Sequence, residues 1–226
     1  SRLSTVKELV AEINRQNADV VIIGGDIFTS TYDGLQNPEQ YARELRKIKS
    51  KYGVYAVYGN HDVSEDLFCG FAVSPAENAV RDPRMVKFMK DCNFRMLEDE
   101  TVTLPDGIIL AGRADEEKPA DIAENRKTPQ QLLAGCDKSK PIVVVEHEPG
   151  DYHRLAKAGA DVVLSGHTHN GQVFPGNLLT GMSGENTYGY KQIDGMHTYV
   201  VAGAGFFGPP LRIGTSCDMF VIDLRY

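Results

Sequence analysis

Four apolar runs in this chain stop at residues that can hold a metal ion. "VVIIGGD" (20–26) delivers Asp26, and "VYAVYGNHD" (54–62) delivers Asn60, His61 and Asp62. "IVVVEH" (142–147) delivers His147, and "VVLSGHTH" (162–169) delivers His167 and His169. Asp, Asn and His offer oxygen and imidazole donors without a thiolate. Such a set suits Mn, Fe or Zn in a catalytic site better than a structural zinc knot. One carboxylate can bridge two ions, and two ions ~3.5–4 Å apart can hold a hydroxide and clamp a phosphoryl group for in-line displacement. Gly24, Gly25, Gly59 and Gly166 beside these residues permit sharp turns and close backbone approach.

Singly, each residue has a plainer role. Asp26 could cap a helix or sit in a turn, and Asn60 could be a turn residue. His61 with Asp62 could be an exposed pair, and His147 a core histidine. His167 and His169 are harder to dismiss, because two histidines one residue apart after a buried run need partners for every ring nitrogen. Taken together the residues favour a metal site. His153 and His197 are left to a helix surface and a strand start.

The elements that must position these residues follow from periodicity. Leu3, Val6, Leu9, Val10 and Ile13 form a helical stripe. The continuous β-branched run at 19–26 reads as a strand buried on both faces. Asn37 and Pro38 open a helix, and Gly53 to Asp62 forms the next strand. Asp82-Pro83 starts a helix through about Cys92. Residues 96–112 read as a hairpin turning at Pro105-Asp106-Gly107. The polar stretch 113–127 reads as an exposed excursion. Thr128 to Gly135 carries a capping box and a terminal glycine. Four strands follow, at 140–149, 160–169, 196–205 and 217–226. The Gly- and Asn-rich stretch 170–195 reads as a functional loop or loose hairpin. Early strand–helix alternation followed by a strand-rich second half gives a mixed α/β sandwich in one domain, residues 1–226. In α/β sheets ligands gather at the carboxyl ends of strands, where these candidates stand.

Composition narrows the partners. Net charge is −7 and no Lys/Arg-rich run stands out, which argues against nucleic acid. Cys69, Cys92, Cys136 and Cys217 are isolated and read as separate reduced thiols. No stretch approaches the ~20 continuous apolar residues of a membrane span. No signal peptide or lipidation motif is visible. The first residue is Ser1, inside a helical pattern, so the chain reads as a fragment or mature form, and any membrane anchor would lie upstream.

Gly24-Gly25-Asp26, Gly59-Asn60-His61-Asp62, His147-Glu148-Pro149 and the run from Gly166 to Gln172, in this order, closely resemble the calcineurin-like metallophosphoesterases. "GFFGPPLRIG" (205–214) resembles a Gly-rich segment of the family's membrane-anchored bacterial branch. The resemblance covers nearly the whole chain. It implies two β-sheets sandwiched and flanked by helices, and two divalent metal ions, Mn first with Fe or Zn as alternatives. Asp26 would bridge both ions, Asn60, His147 and His167 would complete one site, and His169 would serve the other. His61 would contact the substrate phosphate or the leaving oxygen, with Asp62 orienting it. Arg212 would hold a phosphate oxygen; the other reading is a solvated loop arginine.

The implied activity is metal-dependent hydrolysis of a phosphodiester or of a lipid-linked or nucleotide-sugar diphosphate. Phe174, Leu178, Leu179 and Met182 would cradle an acyl chain or pack the loop down. The alternative is a degenerate, non-catalytic metal-binding or interaction module. One departure matters: the family pattern begins with a strand ending in D-x-H, and none precedes Gly24 here. We expect that strand upstream of Ser1, beside Val20–Ile23.

Overall fold

The computed structural model describes residues 2–65, 67–68, 71–72, 80–118, 126–206, 208 and 210–226, with side chains outside 67–72. Eleven strands and six helices follow one another along these residues. They begin with α1 (Leu3–Arg15), β1 (Val21–Ile23), α2 (Pro38–Leu45), β2 (Val54–Ala56), β3 (Leu67–Phe68), β4 (Phe71–Ala72) and α3 (Pro83–Asp91). Then come β5 (Arg95–Met96), β6 (Glu100–Thr103), β7 (Ile109–Gly112), α4 (Pro129–Leu133) and β8 (Ile142–Val145). The chain continues through α5 (Tyr152–Ala158), β9 (Val162–Ser165), α6 (Gly176–Gly181), β10 (Gly189–Ile193) and β11 (Met196–Val200).

Side-chain alternation turns these strands into layers. In β7 and β8, Ile109, Ala111, Ile142 and Val144 face one way, into a cluster with Leu132 and Leu133 of α4 and Leu155 of α5. Leu110 and Val143 face the other way, into a cluster shared with Tyr55 of β2 and Ile22 of β1. Because both strand faces are apolar, both must be covered. The outer face of β1 and β2 packs under Val10 of α1, Ala42 of α2 and Met85, Phe88 and Met89 of α3. The result is helices, sheet, sheet, helices. One sheet has the order β1-β2-β5 and is parallel. The other has the order β10-β11-β9-β8-β7-β6, with antiparallel pairs at its two edges. A short β3-β4 pair stands apart. This is the two-sheet sandwich flanked by helices that the sequence leads one to expect.

Local signals behaved unevenly. Asp82 caps α3 by accepting from Arg84 N, and Thr128 with Gln131 forms a complete capping box on α4. Asn37 precedes α2 without a side-chain cap. The hairpin at 96–112 turns where expected, and the Leu104 carbonyl accepts from Gly107 N at 2.9 Å. Asp194 and Gly195 close the β10–β11 hairpin with positive φ, so the end of 170–195 is ordered strand.

Two expectations fail. Residues 217–226 form no strand. Among the described residues this segment finds no ladder partner: Asp218 turns back to accept from Ala202 N and Gly203 N, and Val221 is 61 % exposed. A strand needs a paired edge, and alternation alone supplies none. The stretch 113–127 is not a plain exposed excursion either. Ala114 is buried, and so are Arg113, Asp115 and Lys118, whose charged groups are paired or hydrogen-bonded; 119–125 lie outside the described residues. No helix among the described residues is long and apolar enough to cross a membrane. Cys92, Cys136 and Cys217 are free thiols, and Cys69 lies outside the described residues.

Candidate metal centre

The carboxyl ends of β1 and β2 lie side by side in one sheet, and those of β8 and β9 in the other. A contact between the sheets joins them. His147, two residues past β8, donates Nδ1–H to the carbonyl oxygen of Gly24, just past β1, at 2.7 Å. A carbonyl only accepts, so this bond assigns a proton to Nδ1 and leaves Nε2 as the nitrogen that faces Asp26, whose lone pair becomes available to an ion once the ring gives up its second proton. Nε2 lies 3.0 Å from Asp26 Oδ2 and 3.3 Å from His167 Nδ1. Asp26, His147 and His167 each bring one ligand atom within 4.8 Å of the others.

Backbone shape makes this approach possible. Asp26 and His167 both have positive φ, at 55° and 64°. Gly25 has φ +94°, and a Cβ there would lie 2.7 Å from Gly59 N and 2.8 Å from His147 Nδ1. A Cβ on Gly59 would lie 2.7 Å from Asp26 N. Glycine is therefore required at both places by crowding, and at Gly25 also by conformation.

Asp62 is fully buried. Its carboxylate accepts from Asp26 N, Gly59 N and Phe28 N, each at 2.9 Å, so it ties the β1 loop to the β2 loop. Burial, with the Asp26 carboxylate nearby, pushes Asp62 up to about 7 against the Gly59 and Phe28 amides. His61 N donates to Asp26 Oδ1 at 2.9 Å. The His61 ring meets Ser30: its Nδ1 is 2.8 Å from Ser30 Oγ, whose hydroxyl donates to Glu65 Oε2 at 3.0 Å. Asp62 thus shapes the loop that carries His61, while Ser30 holds the imidazole.

Burial works against an imidazolium at His147, but the Asp26 carboxylate and the Gly24 carbonyl outweigh it and push the ring up to about 9. Asp26 moves the opposite way: burial would raise it, but the bond to His147 takes it below the ordinary carboxylate range. His169 is pushed down to about 4 by burial and then by Arg212, and His167 is lowered by burial and by His147. Both are held neutral, as ligation requires.

His169 stands apart from the tight group. It opens a 3-10 turn (His169–Gly171), and its Nδ1 lies 3.3 Å from Arg212 Nη2. Arg212 is not a solvated loop arginine. It donates to the carbonyls of His169 (2.8 Å), Ala202 (2.8 Å), Gly205 (2.9 Å) and Gly203 (3.4 Å). Asn60 is 4 % exposed, and its Nδ2 donates to Glu117 Oε2 at 2.8 Å. Its Oδ1 is buried with no hydrogen-bond partner. A buried, orphaned amide oxygen, two imidazoles and a carboxylate are together a donor set that fits a divalent cation.

The calcineurin-like phosphoesterase family model matches residues 1–171. The chain belongs to that family. Among its relatives, an uncharacterized metallophosphoesterase of Helicobacter pylori (strain J99) is 31 % identical over 211 residues, covering 92 % of this chain and 51 % of that protein. One from Campylobacter jejuni is 28 % identical over 222 residues, covering 96 % and 54 %. A "transmembrane protein with metallophosphoesterase domain" of Danio rerio is 28 % identical over 227 residues, covering 98 % and 49 %. The chain spans about half the length of these curated relatives.

Several residues around this cluster carry no signal in the sequence. Ser30, Glu65 and Lys118 form one buried line, with Lys118 Nζ donating to Glu65 Oε2 at 2.8 Å. Behind His147, Arg113 pairs with Glu146 at 2.6 Å and with Asp151 at 3.0 Å. Burial pushes Glu146 up to about 7 despite Arg113. Only the charge alternation of 113–118 hints at partners, and it reads equally as a solvated loop.

Proposed function

We propose that this chain is the catalytic domain of a metal-dependent phosphoester hydrolase. The observation that carries the reading is the Asp26–His147–His167 cluster, with His147 Nε2 directed at Asp26 by the Nδ1 bond to the Gly24 carbonyl. Asp26, Asn60, His147 and His167 would hold one divalent ion, and Asp26 with His169 would contribute to a second. The second set would need a further ligand, which we expect from a strand beside β1, the edge strand of its sheet. Mn is our first choice of ion, with Fe or Zn as alternatives. Bound ions would supply Lewis acidity, polarising a phosphoryl oxygen and acidifying water.

The chain's own groups do the rest. Asp62 keeps the two loops in register through three amides. His61, held by Ser30, gives a proton to the leaving oxygen. Arg212 brings positive charge to the site while clamping His169, and contact with a phosphate oxygen is its second role in this reading.

The substrate we favour is a phosphodiester or a lipid-linked or nucleotide-sugar diphosphate. Phe174, Leu178, Leu179 and Met182, between 57 % and 83 % exposed, support an apolar substituent, since they do not pack the loop down. Leu178 and Leu179 lie in α6, with Phe174 before it and Met182 after it, and α6 begins shortly after the turn His169–Gly171. Attachment to a membrane through a segment outside this chain fits the same reading.

Turnover of bis(p-nitrophenyl) phosphate against p-nitrophenyl phosphate in Mn²⁺, alongside metal content, tests it. We expect diesterase turnover in the metal-loaded protein, and Asp26→Asn to empty the site. No turnover with zero bound metal would favour a non-catalytic interaction module.

A further inference from the structure

We infer that Glu117 is a positioning residue that turns the Asn60 amide so that its oxygen faces the metal; the inference rests on the reading of Asn60 as a ligand. A primary amide is nearly symmetric in shape, and its two ends differ only in what they hydrogen-bond. Whichever group meets one end decides which atom the other end presents. Here that group is the Glu117 carboxylate, 2.8 Å from Asn60 Nδ2. A carboxylate only accepts, so it admits the NH₂ and excludes the oxygen. Asn60 Oδ1 is left buried, with no hydrogen-bond partner. An amide oxygen stays in such a place only if something held it there or something else completes it.

The segment bearing Glu117 is anchored for this task. Lys118 N donates to Asp115 Oδ1 at 2.8 Å, and buried Lys118 Nζ donates to Glu65 Oε2 at 2.8 Å. Lys118 Nζ is 3.8 Å from Glu117 Oε1, the oxygen that Asn60 does not use. Glu117 thus reaches the site from a pinned backbone, although its own side chain is 46 % exposed. That exposure makes the residue removable without opening the core.

The test is Mn²⁺ affinity by titration calorimetry, with the Tm of the metal-free protein measured beside it. The variants are Glu117→Ala, Glu117→Gln and Asn60→Ala. Loss of an outer partner of a metal ligand weakens binding by roughly 10–100-fold, and we expect Glu117→Ala to fall in that range with its metal-free Tm unchanged. Glu117→Gln keeps an oxygen acceptor without the charge, but its own NH₂ no longer excludes the Asn60 oxygen, so it should bind Mn²⁺ more tightly than Glu117→Ala and more weakly than wild type. If Glu117→Gln binds as weakly as Glu117→Ala, the negative charge is what matters and the positioning role is wrong. If Glu117→Ala binds normally while Asn60→Ala does not, Asn60 is a ligand that needs no help from Glu117. If Asn60→Ala also binds normally, the ligand reading itself has failed.

Discussion

Ser30 Oγ lies 2.8 Å from His61 Nδ1 and 3.0 Å from Glu65 Oε2, and that second contact determines the tautomer of the first. A serine hydroxyl has one proton. Glu65, buried and held by Lys118, takes it, so Ser30 can only accept from His61. His61 therefore carries its ring proton on Nδ1, and Nε2 is the nitrogen that can pick up and deliver another. We expect Ser30→Ala to lower kcat by roughly 10- to 100-fold through misplacement of the ring, with metal content and KM unchanged. In a His61→Gln background, itself expected to cost ~10²–10⁴ in kcat, the Ser30 change should add nothing. An additive loss in the double variant would break the link between the two residues.

The glycine contacts predict a steric route to metal loss. Gly59→Ala places a methyl against the Asp26 backbone nitrogen, 2.7 Å away. Gly25→Ala adds the same crowding to a positive φ. Both variants should fold with a reduced Tm and retain little metal after dialysis, as read by elemental analysis. Full metal content in Gly59→Ala would show that the loops can spread without losing the site.

Arg113 and Glu146 are 2 % and 1 % exposed on their side chains, with 2.6 Å between them. Removing one partner leaves a buried charge. Arg113→Met should therefore cost ~3–5 kcal/mol in urea denaturation, whereas the double change Arg113→Met with Glu146→Leu should restore part of that loss, since Asp151 then keeps only Arg154 among the described residues and Arg126 keeps Glu116. A double variant as unstable as the single one would mean that packing, not the orphaned charge, sets the cost.

Burial, and then the Asp91 carboxylate, push the Cys92 thiol up to about 12. A raised thiol pKa keeps the thiolate fraction small until pH approaches that value, and the thiolate is the reactive form. Cys217 is exposed. At pH 8 a disulfide reagent should label Cys217 quickly and Cys92 only after denaturation, with sites read by peptide mass mapping. Equal labelling rates in the native protein would contradict the burial of Cys92.

Much of the site was readable before any coordinates. Asp26, His147 and His167 announced themselves because each follows an apolar run, and a buried strand ending in a polar group aims that group. The continuous apolar runs of β8 and β9 likewise required cover on both faces. The segment at 217–226 misled for the converse reason: its apolar run Met219–Ile222 reads as a strand, but pairing depends on an edge that the segment's own residues do not encode.

Sequence alone therefore determined which residue types stand at the strand ends, and with them the family and the kind of ion they suit. Tertiary structure decided the rest: the tautomer of His147 through the Gly24 carbonyl 123 residues away, the partner of His61, the clamping of His169 by Arg212, and the use of Glu117 against Asn60. The physical reason is that a ring nitrogen or an amide end acquires its role from the group it meets, and those groups come from the opposite sheet or a distant loop, beyond the reach of local periodicity.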